Sequence, residues 1–308
     1  MRCLVTGAAG FIGSNLVDKL VALGHKVVAV DNLETGKKSN LKKSINKIIF
    51  KKIDIKKINE KKNKKLFNKI DWVFHLAGLA DIVPSIKNPK DYYETNVTGT
   101  LNMLELSKRI KIKKFIYAAS ASCYGIPKKF PTKEDDMKDP KYPYALTKLI
   151  GEQLVLHWAN VYKMPNLSLR FFNVYGPRSR TSGAYGAVFG VFLAQKINNA
   201  PLTIVGNGKQ TRDFIFIDDL INALINAAKS KQKNKSYNIG SGKEVNVKKI
   251  ANLISPKQIY IPKRPAEPDR SLADIRRAKK DFNWKPVVSI EEGVKKLLQD
   301  ISPWKTAP

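Results

Sequence analysis

The hydrophobic positions of this chain fall into short unbroken runs, separated by stretches with helical spacing. The runs are 2–6 (RCLVT), 25–31 (HKVVAVD), 48–54 (IIFKKID), 72–78 (WVFHLAG), 114–120 (KFIYAAS) and 168–174 (SLRFFNV). A strand buried on both faces reads as a continuous apolar run, so these predict a parallel sheet covered by helices on both sides. After the first run, Leu16, Leu20 and Leu23 repeat at helical spacing and Gly24 marks the helix end. Further helices are expected near 92–110 and 144–162. Alternating β and α elements of this kind give a doubly wound α/β fold.

The rhythm changes after about residue 175. Gly and Pro become frequent, the apolar runs shorten, and PKRPAEPDR (262–270) reads as a proline-rich loop. Residues 1–174 are therefore expected to form the sheet domain. Residues 175–308 would form mainly a smaller mixed α/β lobe over the sheet's carboxyl edge, with segments near 203–240 returning to the sheet.

Length and composition agree with such a fold. The chain has 308 residues, 43% hydrophobic, with 18 glycines. No apolar run approaches the roughly 20 residues that span a bilayer, and MRCLVTG enters a strand with no signal-type segment before it. Two cysteines, Cys3 and Cys123, give no disulfide framework and suit a reducing cytoplasm. His25, His75 and His157 stand far apart, so no metal site is expected.

The formal net charge of +30 raises the question of a nucleic-acid partner. The excess is scattered lysine. Its densest run, KKIDIKKINEKKNKK (51–65), keeps Ile53, Ile55 and Ile58 among the charges, as a strand end followed by a solvated helix would. A charged surface with neither nucleic acid nor membrane as partner is the expectation.

Gly7-Ala-Ala-Gly10-Phe11-Ile12-Gly13 follows the first strand and opens a helix. Glycines there let the backbone approach a pyrophosphate, and the helix N-terminus offers free N–H groups. Asp31 closes the second strand, where a carboxylate can accept both ribose hydroxyls. The next residue, Asn32, is not an arginine, so NAD is favoured over NADP, although Lys37 and Lys38 lie nearby. Asp54 is a candidate for the adenine amino group, and His75 for a buried structural histidine.

The sequence YPYALTK (142–148) places Tyr144 and Lys148 on one helical face. A phenol becomes a base near neutrality only if positive charge stabilises its anion. A shift of roughly 3 units, about 4 kcal/mol, is within reach of an ammonium and an oxidised nicotinamide.

The three glycines, Asp31, His75-Leu-Ala-Gly, Asn96 in NVTGT, Ser120, Tyr144 and Lys148 together resemble the extended short-chain dehydrogenase/reductases. Within them the chain is most similar to the nucleotide-sugar epimerases and dehydratases. RFFNVYGPR (170–178), GNGKQTRDF (206–214) and RPAEPDRSLAD (264–274) extend the likeness almost end to end. The resemblance implies a Rossmann-type sheet, a dimer paired through two helices per subunit, and NAD. The cofactor would lie on Gly7, Gly10, Phe11, Ile12, Gly13, Asp31, Asn32, Asp54, Ile55, Leu76, Ala77, Gly78 and Asn96, with Tyr144 and Lys148 at its nicotinamide end. It further implies oxidation of a sugar nucleotide at C4, with Tyr144 as base, Ser120 and Ser122 at the sugar, and Asn173, Arg212 and Arg264 at the diphosphate.

The stretch SASCYG (120–125) separates the reactions of that family. The 4,6-dehydratases resemble STDEVYG there, with an Asp–Glu pair that eliminates water; the decarboxylases tend to carry a Glu at the second of those positions. Here the two positions are Ala121 and Ser122, which cannot do that proton transfer. The 4-epimerases read like SSSATVYG, so 4-epimerisation is expected ahead of dehydration, 4-keto reduction or a non-catalytic role. Ser271 matches a position where some epimerases carry a bulky Tyr, which leaves room for an N-acetyl group. UDP is implied by the family alone.

Overall fold

The computed structural model describes residues 1–58, 64–180, 188–262 and 268–299. Six strands follow the predicted runs: β1 (Arg2–Thr6), β2 (Lys26–Asp31), β3 (Ile48–Lys52), β4 (Trp72–His75), β5 (Lys114–Ser120) and β6 (Asn166–Phe171). Then come β7 (Asn173–Tyr175), β8 (Leu202–Val205), β9 (Thr211–Phe216), β10 (Lys235–Ile239), β11 (Glu244–Asn246) and β12 (Gln258–Ile261). The large sheet has the order β10-β6-β5-β4-β1-β2-β3, and all its pairings are parallel. β1 sits between β2 and β4, so the chain winds outward one way and then returns to wind the other. That reversal opens a crevice beyond the strands' C-terminal ends, where ligands of such sheets bind.

Side chains alternate across each strand, and the two faces build two cores. Cys3, Val5, Val27, Ala29, Phe74 and Ile116 pack toward the helices Phe11–Ala22 and Ile217–Lys229. Their neighbours Leu4, Val28, Val30, Val73, Phe115 and Tyr117 pack with Met103, Leu104 and Val155, from the helices Gly99–Arg109 and Pro143–Val161. Two small sheets, β11-β9-β7 and β12-β8, carry much of the rest.

Three local features differ from the sequence expectation. The run 168–174 is split, since β6 ends at Phe171 in the large sheet and Asn173 already belongs to β7 in the small sheet β11-β9-β7. The lysine-rich run does not continue β3 to Asp54: the strand ends at Lys52, and Asp54 caps a single 3-10 turn, Ile55–Lys57, by accepting from the Lys56 N–H at 2.8 Å. The cause is burial, since Ile55 turns into the second core while the lysines stay outside. The expected helix near 92–110 contains a π-helical segment, Glu94–Thr98. Apolar spacing cannot report one inserted residue, and such insertions recur at functional sites.

One buried ion pair ties several elements together. Arg170 on β6 and Glu152 on the helix Pro143–Val161 are each 3% exposed, and their closest approach is 2.5 Å. Ser168 Oγ donates to Glu152 at 2.7 Å, while Arg170 Nη1 donates to the Tyr124 hydroxyl at 2.6 Å and the Glu134 carbonyl at 2.7 Å. Tyr124 in turn donates to Asn238 of β10 at 2.7 Å. Removing one charge strands the other in a dry interior. Glu152→Gln is expected to lower stability by about 3–5 kcal/mol in urea unfolding.

Candidate active site

The crevice is a cleft of about 2350 Å³ running along the C-terminal ends of the large sheet. Its dinucleotide end is built by close backbone approach. Gly7, with φ at +66°, lies so near the next crossover that a Cβ would stand 2.8 Å from the Ala77 nitrogen. A Cβ on Gly13 would come within 2.0 Å of the Gly7 carbonyl oxygen. Only glycine leaves that turn its shape. Asp31 is 7% exposed: one carboxylate oxygen accepts from the Ala9 N–H at 2.9 Å and the other from the Leu33 N–H at 2.7 Å. Each oxygen keeps a further lone pair for a ribose hydroxyl.

Gly7, Gly10, Phe11, Ile12, Gly13, Asp31 and Asn32 all line the cleft, as do Asp54, Ile55, Leu76, Ala77 and Gly78. Asn96 does not. Its amide is 1% exposed and is spent on the protein: Oδ1 accepts from the Leu79 N–H at 2.9 Å, and Nδ2 donates to the Leu79 carbonyl and to Thr147 Oγ1 at 3.0 and 3.1 Å. The π-helical turn aims it at the loop after β4, so it positions Gly78 and Leu79 beside the cleft. A Cβ on Gly78 would meet both Asn96 Oδ1 at 2.9 Å and Lys148 Nζ at 3.4 Å.

His75 is fully buried. Nδ1 lies 2.8 Å from Thr6 Oγ1 and Nε2 lies 3.0 Å from Thr100 Oγ1. Thr100 Oγ1 donates to the Asn96 carbonyl at 2.7 Å, which leaves it to accept from Nε2–H, so Thr6 donates to Nδ1. Burial, aided by Lys148, pushes the imidazole pKa down to about 3, and the ring is a neutral link in this chain.

At the other end, Ser120, Ser122, Tyr144 and Lys148 share the cleft. Ser120 closes β5 and caps the turn Ala121–Tyr124, its Oγ accepting from the Ser122 N–H at 3.2 Å and from Ser122 Oγ at 2.8 Å. Tyr144 and Lys148 come from the first turns of Pro143–Val161, which Pro143 opens. Burial raises the Tyr144 pKa; its hydrogen bonds to Ser120 and Ser122 oppose that, and Asp81 adds to the rise. The protein's own groups therefore leave this phenol's pKa raised, and the lowering expected from Lys148 together with an oxidised nicotinamide concerns the cofactor-bound site. Burial also lowers Lys148 to about 8, and its Nζ stands 4.8 Å from the centre of the Tyr117 ring. The Tyr117 hydroxyl donates to the Lys148 carbonyl at 3.3 Å and lies under Gly151, where a Cβ would come within 2.2 Å of it.

On the far wall, Asn173 begins β7 and donates to the Asp213 carbonyl at 3.0 Å. Arg212 of β9 lines the cleft, and the next residue, Asp213, points the opposite way. Asp213 accepts from Ser241 N–H and Oγ, Gly242 N–H and Ala273 N–H, at 2.6 to 3.1 Å, and so anchors the segment that brings Ser271 to the cleft. Arg264 lies outside the described residues. Two cross-cleft ion pairs had no motif to announce them: Arg178–Asp18 at 2.5 Å and Arg180–Asp81 at 2.7 Å. Only opposite charges far apart in sequence could have hinted at them. Among the described residues, no cluster of His, Cys, Asp or Glu could hold a metal ion.

The glycine cradle, the Asp31 carboxylate and the buried Lys148 fit an adenine dinucleotide. The NAD dependent epimerase/dehydratase family model matches residues 3–240. The chain belongs to this family. NAD is accordingly its cofactor. It is 34% identical over 308 residues to the UDP-glucose 4-epimerase of Mycolicibacterium smegmatis, covering 97% of this chain and 98% of that protein. It is also 34% identical over 312 residues to UDP-glucuronic acid decarboxylase 1 of Danio rerio, covering 98% of this chain and 72% of the relative. The UDP-glucose 4-epimerase of Thermotoga maritima, solved with UDP-glucose, superposes with a TM-score of 0.91 at 33% identity, covering 99% of both chains.

Burial pushes the thiols of Cys3 and Cys123 up to about 12, so neither is a nucleophile at neutral pH. In a titration with an aromatic disulfide at pH 7, the native protein is expected to leave both thiols unreacted and the urea-unfolded chain to expose both.

Proposed function

We propose that this enzyme interconverts the C4 epimers of a UDP-hexose through a transient 4-ketone. The observation that carries this reading is the hydroxyl pair Ser120–Ser122 at Tyr144, with Ala121 between them and no carboxylate in that turn. Oxidation at C4 needs a base and a hydrogen-bond donor for the sugar oxygen. Dehydration or decarboxylation needs a further acid or base beside them, and this turn lacks one.

When bound, NAD would supply a hydride acceptor for C4 and then a hydride donor for the opposite face of the ketone. Tyr144 removes the C4 hydroxyl proton and later gives it back. Ser120 holds the sugar oxygen, with Ser122 completing the donor pair. Lys148 supplies a buried positive charge that would hold the nicotinamide ribose and, together with an oxidised nicotinamide, favour the phenolate. Asn173 and Arg212 bind the diphosphate from the far wall; guanidinium forks suit that dianion. Ser271 leaves space near C2, so the N-acetylhexosamine pair is accepted along with glucose and galactose. Two subunits pair through the helices near 92–110 and 144–162, where Tyr93 and Leu146 stand exposed.

Purified protein is expected to interconvert UDP-glucose and UDP-galactose, or their N-acetyl counterparts, with no added reductant and with NAD retained. Carbon dioxide release from UDP-glucuronate, or accumulation of a stable 4-keto product, would overturn the assignment. Tyr144→Phe is expected to slow turnover by about 10²- to 10⁴-fold while NAD stays bound.

A pH profile tests Lys148. Its ammonium persists below the lowered pKa of about 8 and is lost above it. The kcat/KM of the wild type should therefore fall above roughly pH 8, and Lys148→Arg should move that fall to higher pH at a lower maximum.

A further inference from the structure

The cleft occupies the C-terminal ends of the parallel strands, and the opposite edge of the large sheet has a different character. β1 opens on the half-buried Arg2. Every other strand of that sheet is entered through a segment with an exposed lysine, namely Lys26, Lys47, Lys69, Lys111, Lys163 and Lys231. Two of these segments carry a second, Lys113 and Lys233. In segments 23–26, 45–47, 68–71, 110–113, 162–165 and 230–234 the lone carboxylate is Asp71, which accepts from the Arg2 N–H and pairs with Lys113 at 2.8 Å.

Hydrogen bonds join these segments into one strip. Lys114 Nζ donates to the Ser230 and Gln232 carbonyls at 2.9 and 2.6 Å, and the Asn234 N–H donates to the Asn166 carbonyl at 2.6 Å. Helices flanking a parallel sheet end at this edge, and a cation at each C-terminus complements the helix dipole. Lys114 meets that need for Ile217–Lys229; Lys231 and Lys233 go beyond it. The surplus field acts on its neighbours. Lys114 is lowered to about 8, by burial first and Lys233 next, and His25 is lowered by burial, then by the Met1 ammonium and Lys229. Asp281, the carboxylate near the start of β10, is already engaged by Tyr237 and Lys235. Apolar side chains stand among the lysines: Leu23 is 44%, Val161 53% and Tyr162 45% exposed.

We propose that this edge is a peripheral docking surface for an anionic lipid bilayer, on which the enzyme lies with its cleft facing away. Strands roughly 4.8 Å apart spread the lysines over about 30 Å, a row suited to a flat charged surface. Lysines gain from anionic headgroups, and exposed Leu, Val and Tyr side chains enter the interfacial region. No helix among the described residues is long and apolar enough to cross a membrane, so the contact is superficial. A nucleic acid is the less suitable polyanion. The strip offers lysine points in place of arginine forks.

The test is co-sedimentation of NAD-loaded enzyme with vesicles of phosphatidylcholine alone or with about one-third phosphatidylglycerol. Binding is expected only to the anionic vesicles and is expected to vanish in 0.5 M salt, where the Debye length is only a few Å (about 3 Å at 1 M). Reversing Lys111, Lys163, Lys231 and Lys233 to Glu should weaken it at least about tenfold. A control that reverses Lys209, Lys243, Lys257 and Lys295 on the smaller lobe carries the same net charge and should keep it. Turnover in vesicle-free buffer should be the same in all three proteins, which shows that each variant folds. Absence of vesicle binding, equal loss in both variants, or tighter binding to duplex DNA than to anionic vesicles at the same salt would each overturn the proposal.

Discussion

The Arg170–Glu152 pair is the constraint on which the arrangement of the cleft depends. Arg170 belongs to β6, Glu152 to the helix that carries Tyr144 and Lys148, and Tyr124 to the turn that carries Ser120 and Ser122. The hydrogen bonds from one guanidinium thus fix the relative positions of the turn that bears Ser120 and Ser122 and the helix that bears Tyr144 and Lys148. Burial disfavours the charged guanidinium, and the Glu152 carboxylate more than offsets this and raises the Arg170 pKa. Such a pair adds little net stability, because the cost of taking both charges out of water offsets much of their attraction.

A second polar system holds the cofactor side. The chain Ala77 N–H, Thr6, His75, Thr100 and the Asn96 carbonyl runs through the interior without a break. It joins β1, β4 and the π-helical turn, and Asn96 passes the constraint on to Leu79 and Thr147. The two walls of the cleft are then tied by charge pairs, Arg178–Asp18 and Arg180–Asp81, and by Asn15 reaching the Pro177 carbonyl at 3.2 Å. The interior linkages are buried and unyielding. Of those across the cleft, Arg180–Asp81 is exposed enough for water and salt to compete with it, whereas Arg178–Asp18 is largely covered.

The sheet was legible because its strands are buried on both faces, so runs such as CLVT and VVAV could hardly be anything else. The glycine cradle was legible because a turn packed that closely admits no side chain, and the placing of Tyr144 beside Lys148 because residues four apart share one helical face. What escaped was long-range. Nothing near Glu152 in sequence indicates that it faces Arg170, and nothing in NVTGT reveals that Asn96 is aimed at a backbone instead of a ligand. The burial that raises the Tyr144 pKa was not legible, because desolvation depends on how many atoms surround the ring, which no local pattern reports. Asp54 looked like a strand terminus, yet it serves as a cap because Ile55 finds a place in the core.

Gly151 has a consequence for how this site can change. Its missing side chain lets the Tyr117 hydroxyl nestle between helix and strand, one turn beyond Lys148. Tyr144 and Lys148 therefore ride on a segment whose height above the sheet is set by a single aromatic ring. The two groups form one mechanical unit, and a variant that lifts the helix displaces phenol and ammonium together. The opposite wall is held independently of that helix: Asp213, next to Arg212 on β9, also accepts from the Ala273 N–H, so one carboxylate anchors the segments that bring both Arg212 and Ser271 to the cleft.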